Sequence, residues 1–548
     1  MAGQMETENF LPGTVRYFQV IDGVLHDEEI ILNPKPTNSP NDPLNWSPWR
    51  KYWHAALVLF ITGFTAATSN DAGAAGDGQL KDLDISYAVE NTAAGVLFIG
   101  IGYWTLLASP MPWLWGRRVQ YLICLMFSLI GAIWFANVQN VQDSIWNQLF
   151  VGASESCAEA LVQLSLSDLF FQHQRGLTLG LYVLATSVGT FLGPLFAGLI
   201  ANRSWRWVGW VAAIITSVTI IVTFFGLEET MFYRDHYIGE APGLAPAVET
   251  SISPSDDEKK IHNENPEFKV EPSVSGSDTG SPADRKRTYW QRIQIITPAP
   301  SMVGTGIKQY FGRLWHLMRI FTFPAVIFAG LQWGGQDAWL TFYLTIEEDN
   351  YYDAPWNYGN NAVAILNIPT LIGAVIGCIY GGWFSDVFVR WMAKRRGGIS
   401  EAEDRLWLLY PSAILNPAGL MLFGIGSGDG WQWSKGNPGA YIGLGLIGFG
   451  WGCAGDLSMA YLMDAYPDTI LEGMVGVAVI NNTLAMIFTF TCSLWLAADG
   501  VGPTFIAIGV IDFFIQALTI PMQIWGKSFR RRTLERYRHF VEVRDAES

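Results

Sequence analysis

The sequence predicts an all-α membrane protein with twelve transmembrane helices, arranged as two six-helix pseudo-repeats. Half of the 548 residues are hydrophobic and only 15% are charged, whereas about a quarter of the residues in soluble domains are charged. Apolar runs of about 20 residues, the length that crosses a bilayer, recur along the chain. A stretch of the fourth run is repeated in the tenth run, which indicates an internal duplication.

The apolar runs give twelve predicted spans, numbered 1 to 12 in chain order. Their predicted bounds are 53–72, 88–110, 119–137, 146–167, 177–201, 207–227, 320–346, 362–385, 406–426, 438–461, 472–497 and 502–525. Spans 1 to 6 form a predicted N-terminal bundle (53–227), and spans 7 to 12 form a C-terminal bundle (320–525). The N-terminal tail (1–52) and the C-terminal tail (526–548) are polar.

A long polar loop, 228–319, joins the two bundles. Its centre is rich in Ser, Pro and charged residues. Such a composition buries too little apolar surface to fold alone, so we expect the loop to be largely disordered. Near its end, "GIKQYFGRLWHLMRI" at 306–320 has the pattern of an amphipathic helix that lies on the membrane surface.

The distribution of basic residues predicts the orientation. When both tails and the central loop are placed on one side, the loops on the other side hold only Lys81, Arg203, Arg206 and Lys435. Loops that stay in the cytoplasm carry the excess of Lys and Arg. We therefore expect both termini and the central loop to be cytoplasmic.

Composition and missing motifs exclude several classes of function. The net charge of −15 argues against a nucleic-acid partner, because phosphate binding needs a basic surface. The sequence contains no phosphate-binding loop and no cluster of His or Cys ligands. The five cysteines all fall within apolar runs, where a thiol behaves as a small buried hydrophobe. We expect no disulfide, no enzyme activity, no cofactor and no metal site.

The internal repeat relates the fourth span of each half. The segment "CAEALVQLSLSD" (157–168) aligns without gaps with "CAGDLSMAYLMD" (453–464), and the Cys, one Ala, two Leu and the final Asp coincide. A weaker match relates the segment that ends at Asp71 in span 1 to the segment that ends at Asp337 in span 7. Two homologous bundles are typical of transporters.

The ionisable groups inside the predicted spans are acids. With the orientation above, no Lys or Arg falls in the interior of a span, and His54 lies at the start of span 1. The acids are Asp71 in span 1, Glu155 and Glu159 in span 4, Asp337 in span 7, Asp456 in span 10 and Asp512 in span 12. Ionisable residues within a membrane indicate a functional site.

Glu155 and Glu159 are the most informative of these acids. Residues four apart share one face of a helix, and a charged side chain at the centre of a bilayer costs about 2.5–3.5 kcal/mol. Two such side chains are not expected to face lipid, and the spans offer them no basic partner. The predicted partner is a proton, a cationic substrate or both. A hydrogen-bonded structural pair, for example Glu155 with Gln163, is the alternative.

Several motifs resemble a known family. They are "NDPLNW" (41–46), "TAATSNDAGAAGD" (65–77), "SESCAEALVQLSLSDLFFQHQ" (154–174), "NIPTLIGAVIGC" (367–378) and "LEGMVGVAVINNT" (471–483). With these motifs the chain resembles the major facilitator superfamily and, within it, the fungal drug:proton antiporter branch. More narrowly, it resembles the histidinol-uptake and polyamine transporters of that branch. The resemblance covers nearly the whole chain except the central loop.

The resemblance implies the major facilitator fold, in which helices 1, 4, 7 and 10 line a central cavity. Five of the six acids fall on those four spans. It also implies a proton-coupled carrier of organic cations such as polyamines, working by alternating access as a monomer in the plasma membrane. The motif "GTFLGPLFAG" (189–198) is associated with export in the family and leaves the direction open. A multidrug or secondary-metabolite exporter and a non-transporting cation sensor are the alternatives.

The candidate substrate-binding residues are the acids with aromatic and amide neighbours. They are Glu159, Glu155, Asp71, Asp337, Asp456, Trp333, Trp339, Tyr343 and Asn481. Glu155 and Glu159 are also the candidate proton carriers. Separated acids suit the several charges of a polyamine, and aromatic faces bind ammonium groups with about 0.5–2 kcal/mol each. The alternatives are an interfacial position for Asp71, a lipid-facing position for the aromatic residues and a bond between helices for Asn481.

The candidate gating residues lie at the predicted cytoplasmic ends of the spans. They are Asp168, Asp386, Arg390, Asp464, Arg117 and Arg118. In the family, the motif Gly-x-x-x-Asp-Arg-x-Gly-Arg-Arg joins helices 2 and 3, and here "SPMPWLWGRR" (109–118) keeps only its basic end. The second copy, "GGWFSD" (381–386), keeps the acid. The gate is therefore assigned to the second copy and to Asp168.

Overall fold

The computed structural model of the chain describes residues 11–21, 24–30, 32–234, 285–351 and 354–546. Within these ranges the chain forms twelve long helical spans in the predicted order, which confirms the all-α fold class. The centre of the polar loop, predicted to be disordered, lies at 235–284 and is outside the described residues.

The first six spans form the N-terminal half. They are Pro48–Asn70 (span 1), Tyr87–Ala108 (span 2), Arg117–Ala136 (span 3), Val141–Glu159 with Leu161–Leu169 (span 4), Arg175–Ala201 (span 5) and Arg206–Gly226 (span 6). Span 4 is interrupted at Ala160, whose backbone angles (φ −141°, ψ −35°) depart from the helical range.

The last six spans form the C-terminal half. They are Pro324–Asp349 (span 7), Asn360–Ile365 with Asn367–Ile379, Tyr380–Phe384 and Ser385–Arg395 (span 8), Ala402–Leu409 with Tyr410–Gly428 (span 9), Gly439–Ala465 (span 10), Ile470–Asp499 (span 11) and Val501–Ala517 (span 12). In span 8 the turn Tyr380–Phe384 is π-helical. Such turns are rare and occur mostly at functional sites.

Shorter elements precede or connect the spans, and the long helix Thr519–Ala546 follows span 12. The short helices are Pro43–Asn45, Gly73–Ala75, Gly76–Leu83, Met111–Leu114, Gln172–Gln174, Tyr289–Arg292, Ile307–Leu317, Met318–Thr322, Trp433–Lys435 and Pro467–Thr469. The strands are Thr14–Arg16, Phe18–Ile21, Val24–Ile30 and Ile399–Glu401. The first strand pairs antiparallel with the fourth, and the second pairs antiparallel with the third.

Hydropathy alone does not identify all twelve spans. Nine helices in the described ranges are long and apolar enough to cross a membrane, and span 7 is the tenth when it is counted with the helix before it. Spans 1 and 4 fall outside this group. Both bury polar side chains, for example Thr62 and Thr65 in span 1 and Ser154 and Glu155 in span 4. Polar residues that face protein lower the mean hydropathy of a span without exposing polar groups to lipid.

The internal repeat is visible in the helix packing. Gly152 of span 4 and Gly448 of span 10 hold equivalent places in the repeat. A Cβ atom at Gly152 would lie 2.1 Å from the carbonyl oxygen of Leu97 in span 2, and one at Gly448 would lie 2.0 Å from the carbonyl oxygen of Thr370 in span 8. Spans 2 and 4, like spans 8 and 10, therefore cross where only glycine fits.

The two halves meet along several spans. Span 2 packs against span 11, and span 5 packs against spans 8 and 10. Within the halves, span 1 contacts span 4 and span 7 contacts span 10. Spans 4, 7 and 10 are thereby brought to the region where the halves face each other.

Both ends of the described chain lie on one face, which we call the terminal face. Arg530, beyond span 12, donates hydrogen bonds to the carbonyl oxygen of Pro12 and to the carboxylate of Glu401. Tyr17 and Phe18 are buried beside span 8. The N-terminal segment therefore packs on the C-terminal half.

Most of the predicted polar C-terminal tail, up to residue 546, lies in the helix Thr519–Ala546, which begins within predicted span 12. The ring of Phe540 stacks on that of His316 with centroids 4.4 Å apart. Arg313 Nη2 donates a hydrogen bond to the carbonyl oxygen of Arg544 (3.3 Å).

The amphipathic helix predicted at 306–320 is present as Ile307–Leu317. With the turn that follows, it meets span 7 at an angle of 83°. Phe311 and Trp315 are exposed, whereas His316 is buried. The outward face is therefore apolar, as expected for a helix that rests on a membrane surface.

Candidate functional site

Three carboxyl groups from the two halves come together. Glu155 and Glu159 lie one turn apart on span 4, and both interact electrostatically with Asp337 of span 7. Glu155 is 8% exposed, while Glu159 and Asp337 are partly exposed. We call these three residues the acidic cluster. The structure thus joins the acid pair of one half to an acid of the other half.

Groups from spans 10 and 11 complete the site. Trp451 Nε1 donates a hydrogen bond to Oδ1 of Asp337 (3.3 Å). Asn481 lies beside both Glu159 and Asp337. Its side chain is fully buried, and no hydrogen bond of 3.5 Å or less reaches its amide from the described residues. The amide therefore faces both carboxyl groups across longer distances, where it can bond a ligand held by the acidic cluster.

Aromatic rings surround the acidic cluster. The rings of Trp333 and Trp451 lie with centroids 4.6 Å apart, and Phe191 of span 5 meets Trp451 edge-on at 5.8 Å. Tyr182 of span 5 is buried and interacts electrostatically with all three acids. Aromatic faces attract ammonium groups, so the rings and the carboxylates favour the same kind of ligand.

Gly455 makes room for the ring of Trp333. A Cβ atom at Gly455 would lie 2.1 Å from Cζ3 of that ring. In the internal repeat, Gly455 holds the place of Glu159 and Trp451 holds the place of Glu155. In the second half, Trp451 therefore takes the place of one acid. Gly455 takes the place of the other acid and leaves space for the ring of Trp333.

The interruption of span 4 directly follows Glu159. The helix Val141–Glu159 ends there, and the next helix begins at Leu161. The C-terminal end of a helix carries about half a negative charge, and such ends of broken membrane helices coordinate cations in transporters. The backbone therefore adds to the negative potential of the acidic cluster.

No basic side chain neutralises the acidic cluster within the described part of the chain. The cluster acids interact with one another, with the Trp451 indole, with the Asn481 amide and, at Glu155, with Ser69 of span 1. Carboxylates this close repel each other strongly at low dielectric constant. The arrangement is therefore suited to bind a cation, to bind protons, or to exchange one for the other.

The structure does not bring Asp71 into the acidic cluster. Asp71 follows the last residue of span 1. It lines a small cavity inside the N-terminal half, together with Thr68, Gln148 and Ser128. Apart from these polar side chains the cavity is lined by apolar residues, and it is separate from the acidic cluster.

Trp339 and Tyr343 also lie outside the acidic cluster, although they follow Asp337 closely in sequence. Trp339 Nε1 donates a hydrogen bond to Oδ1 of Asp512 in span 12 (2.9 Å). Tyr343 meets Phe423 of span 9 edge-on, with centroids 6.2 Å apart. Both side chains are buried within the C-terminal half, where they contribute to packing.

Asp456 of span 10 lies at a different contact between the halves. It is fully buried. Cβ atoms built at Gly180 of span 5 and at Gly382 of span 8 would lie 3.0 and 3.1 Å from its Oδ2 atom. Asp456 therefore faces spans 5 and 8, whereas its neighbour Gly455 faces Trp333.

An ion-pair network near the terminal face joins the two halves. Arg405 at the start of span 9 binds Oδ1 of Asp386 (2.9 Å) and Oδ2 of Asp464 (2.6 Å). Asp386 also accepts hydrogen bonds from the backbone N–H groups of Gly176 and Leu177 (3.1 and 2.9 Å). These two groups lie at the N-terminus of span 5, which favours a bound anion. Asp386 thus links the halves.

Asp464 makes a second link between the halves. Arg175, the first residue of span 5, donates from Nη1 to Oδ1 of Asp464 (3.3 Å) and to the carbonyl oxygen of Met463 (3.0 Å). The predicted gating acids Asp386 and Asp464 therefore both lie where the halves are held together.

The other candidate gating residues make contacts within one half in the described part of the chain. Arg117 Nε lies 3.4 Å from Oδ2 of Asp168, and Arg118 binds a backbone carbonyl at the end of span 6. Arg390 donates to the carbonyl oxygen of Asp386, one turn earlier in its own helix (3.2 Å). These residues are placed to support the ends of their spans.

Sequence reasoning missed Arg405 and Arg175. The repeat could have indicated Arg405. Asp168 and Asp464 hold equivalent positions in the repeat, and each pairs with an Arg at the start of a span that precedes it in the sequence. Arg117 takes this place in the first half and Arg405 in the second. Arg175 carried no comparable signal, because its partner belongs to the other half.

Comparisons with known proteins agree with this architecture. The sequence profile described as Major Facilitator Superfamily matches residues 55–490. An uncharacterized MFS-type transporter of Schizosaccharomyces pombe is 49% identical over 557 residues, which cover 98% of this chain and 95% of the relative. Protein HOL1 of Saccharomyces cerevisiae is 48% identical over 578 residues, which cover 98% of each chain.

A solved structure shows the same fold. The proton:xylose symporter XylE bound to 6-bromo-6-deoxy-D-glucose matches with a TM-score of 0.54 at 11% sequence identity. The match covers 87% of this chain and 96% of that chain. At this identity the likeness supports the arrangement of helices and nothing about the ligand.

Proposed function

Because the chain belongs to the major facilitator superfamily and is a multi-pass secondary transporter rather than an enzyme, we propose that it carries organic cations coupled to protons. The proposed substrates are polyamines such as spermidine, putrescine and spermine. The acidic cluster supports this proposal more than any other observation, because three carboxyl groups share one site with no basic partner in the described chain.

The groups around the acidic cluster match the chemistry of a polyamine. A polyamine carries several ammonium groups separated by methylene chains. The ammonium groups would bind Glu155 and Glu159 on one half and Asp337 on the other, while the rings of Trp333 and Trp451 would contact the methylene groups and the charges. An organic anion would meet only repulsion in this field.

Proton coupling follows from the same carboxyl groups. When the cation leaves, the acidic cluster cannot keep all of its charges in a medium of low dielectric constant, so protons take its place. Glu155 and Glu159 are the proposed carriers because they are one turn apart on a single helix. Glu159 also adjoins Asn481 and the end of the broken helix.

We place the terminal face in the cytoplasm and the protein, as a monomer, in the plasma membrane. The excess of Lys and Arg on the side of both tails supports this orientation. The contacts of Asp386 and Asp464 with span 5 would then form the cytoplasmic gate. Opening the site to the cytoplasm would require these contacts to break.

The test is uptake of radiolabelled spermidine by cells with and without the protein. We expect uptake that saturates, that putrescine and spermine inhibit, and that organic anions of similar size do not inhibit. A cation sensor would bind spermidine without accumulating it, and an exporter of drugs or secondary metabolites would leave the accumulated label unchanged. Either result would overturn the proposal, whereas a lower accumulated label would keep the substrate class and set the direction as export.

A further inference from the structure

Asp456 is a buried acid that forms no hydrogen bond or ion pair with the described residues. Its side chain has no exposed surface, and neither carboxyl oxygen has a hydrogen-bond partner among the described residues. Three glycines pack closely against it. Cβ atoms built at Gly180, Gly381 and Gly382 would lie 3.0 to 3.1 Å from its atoms. The packing therefore excludes solvent from the carboxyl group.

The charged groups nearest to Asp456 do not neutralise it. They are Arg405 and Asp386, and the thiols of Cys378 and Cys453 are its titratable neighbours. The guanidinium group of Arg405 donates instead to Asp464, Asp386 and Ser385, at 2.6, 2.9 and 2.8 Å. Asp386 is itself an acid and would repel a second negative charge.

An ionised carboxylate in this place would be strongly unfavourable. Burying a charge without a partner costs several kcal/mol, and buried acids avoid this cost by taking up a proton. In the conformation described here, with the halves joined near the terminal face, Asp456 is therefore neutral.

Some of the residues that shield Asp456 from solvent belong to the N-terminal half. Gly180 lies on span 5, only a few residues beyond the Gly176 and Leu177 amides that bind Asp386. Gly381 and Gly382 lie in the π-helical turn of span 8. Separation of span 5 from spans 8 and 10 would break the contacts of Asp386 and expose Asp456 to water in one motion.

We propose that Asp456 is a proton-binding latch, which takes up a proton before the two halves close on the terminal face and releases it to the solution on that face when they part. The inference rests on the transport cycle of the proposed function but not on the identity of the substrate. The proposal predicts that opening and closing at the terminal face depend on pH through Asp456, separately from the acidic cluster.

The test measures the distance between the halves without substrate. Cysteines replace the exposed Leu177 of span 5 and the exposed Trp407 of span 9, and spin labels on them report the open and closed populations. The five native cysteines are buried, so labelling is selective. For one bound proton, the closed-to-open ratio falls by up to tenfold for each unit by which the pH rises above the pKa of the uncovered carboxyl group, as long as the covered carboxyl group stays protonated.

The variants test whether the pH response comes from Asp456 or from other groups. Asp456→Asn copies the neutral acid in shape, and the ratio in this variant should change less than twofold over the same pH range. Asp456→Leu, neutral and of similar size, should behave in the same way. Asp499→Asn, which makes the same carboxyl-to-amide change at the exposed end of span 11, should keep the response of the unmodified protein.

A normal pH response in both Asp456 variants would overturn the latch. Closure that depends on Na⁺ at constant pH would also overturn it, because the carboxylate would then hold a metal ion. Neither outcome touches the proposed substrate class, since no substrate is present. Conversely, a failure of spermidine uptake would leave a pH-dependent gate in place.

Discussion

At the scale of single residues, the proposed site depends most on Glu159. Its carboxyl group interacts with both other cluster acids and with Asn481, and it ends the helix that Ala160 interrupts. Glu159→Gln keeps the shape of the side chain but removes the titratable charge. Loss of one charge-assisted contact, about 1.5–3 kcal/mol, should weaken the apparent affinity for spermidine roughly tenfold or more.

Glu159→Gln and the unmodified protein are compared by the kinetics of spermidine transport at matched surface expression. Glu155→Gln should give a smaller defect or a shifted pH optimum, because Glu155 is the more buried member of the pair and mainly influences its neighbour. Asp499→Asn, at the exposed end of span 11, makes the same chemical change outside the site and should transport normally. Normal kinetics in Glu159→Gln would remove Glu159 from the proposed site.

A second residue-scale prediction concerns the space at Gly455. In Gly455→Ala the new methyl group would lie 2.1 Å from the ring of Trp333, so the ring must move. We expect several-fold weaker spermidine transport with normal expression. Gly473→Ala is the matched control, because its methyl group would meet Leu462 at an ordinary 3.4 Å. Equal transport by the two variants would show that the position of Trp333 does not matter.

At the scale of elements, the start of span 9 fixes the terminal-face network. Arg405→Met would leave Asp386 without its buried cation and Asp464 with Arg175 alone, and breaking a buried pair costs about 3–5 kcal/mol. We expect a clear fall in thermal stability and greater solvent access at the terminal face.

The control for Arg405→Met is Arg390→Met, at the position that sequence reasoning selected. Among the described residues, Arg390 donates to a backbone carbonyl of its own helix, so its loss should change stability by no more than about 0.5 kcal/mol. Thermal unfolding of the purified variants in detergent decides between the two. Equal effects would contradict the network described for Arg405.

Helical spacing explains which site predictions the structure brought together. Trp333 lies four residues before Asp337 and shares its helix face, so both reach the centre. Trp339 lies two residues after Asp337 and therefore points to another side, where it binds Asp512. Nearness in sequence suggested both tryptophans, and the helical period distinguishes them.

Other features could not be predicted from local sequence. The interruption of span 4 falls at an alanine, the residue with the highest helix propensity, so tertiary packing overrides the local preference there. The helix Thr519–Ala546 carries too much charge to resemble a span. The contact of Arg175 with Asp464 joins residues of different halves, and only the assembled fold brings them together.

At the scale of the whole molecule, the spans follow from apolar length together with the repeat. Span 4 was predicted from its apolar run, and the repeat relates it to span 10, although its helix lies outside the group that hydropathy identifies in the described ranges. The structure adds the equivalent Gly152 and Gly448 crossings, and the repeat shows where the two halves differ. The acid pair in the first half corresponds to Trp451 and Gly455 in the second, so a symmetric scaffold holds an asymmetric site.

The proposed orientation is a prediction for the whole chain. Epitope tags at both termini should bind antibodies only after the plasma membrane has been permeabilised, because the basic residues hold both tails in the cytoplasm. A tag placed in the loop after span 1, next to Lys81, should be accessible on intact cells. Labelling of either terminus on intact cells would reverse the proposed orientation.

Transport by the purified protein in proteoliposomes tests the central claim most directly, because no other protein is present to supply energy. With an imposed pH gradient of one sign, labelled spermidine should accumulate above equilibrium. The accumulation should disappear when the gradient is collapsed, and Glu159→Gln should reduce it strongly. Accumulation without any ion gradient, or equally efficient transport of an organic anion, would contradict a proton-coupled carrier of cations.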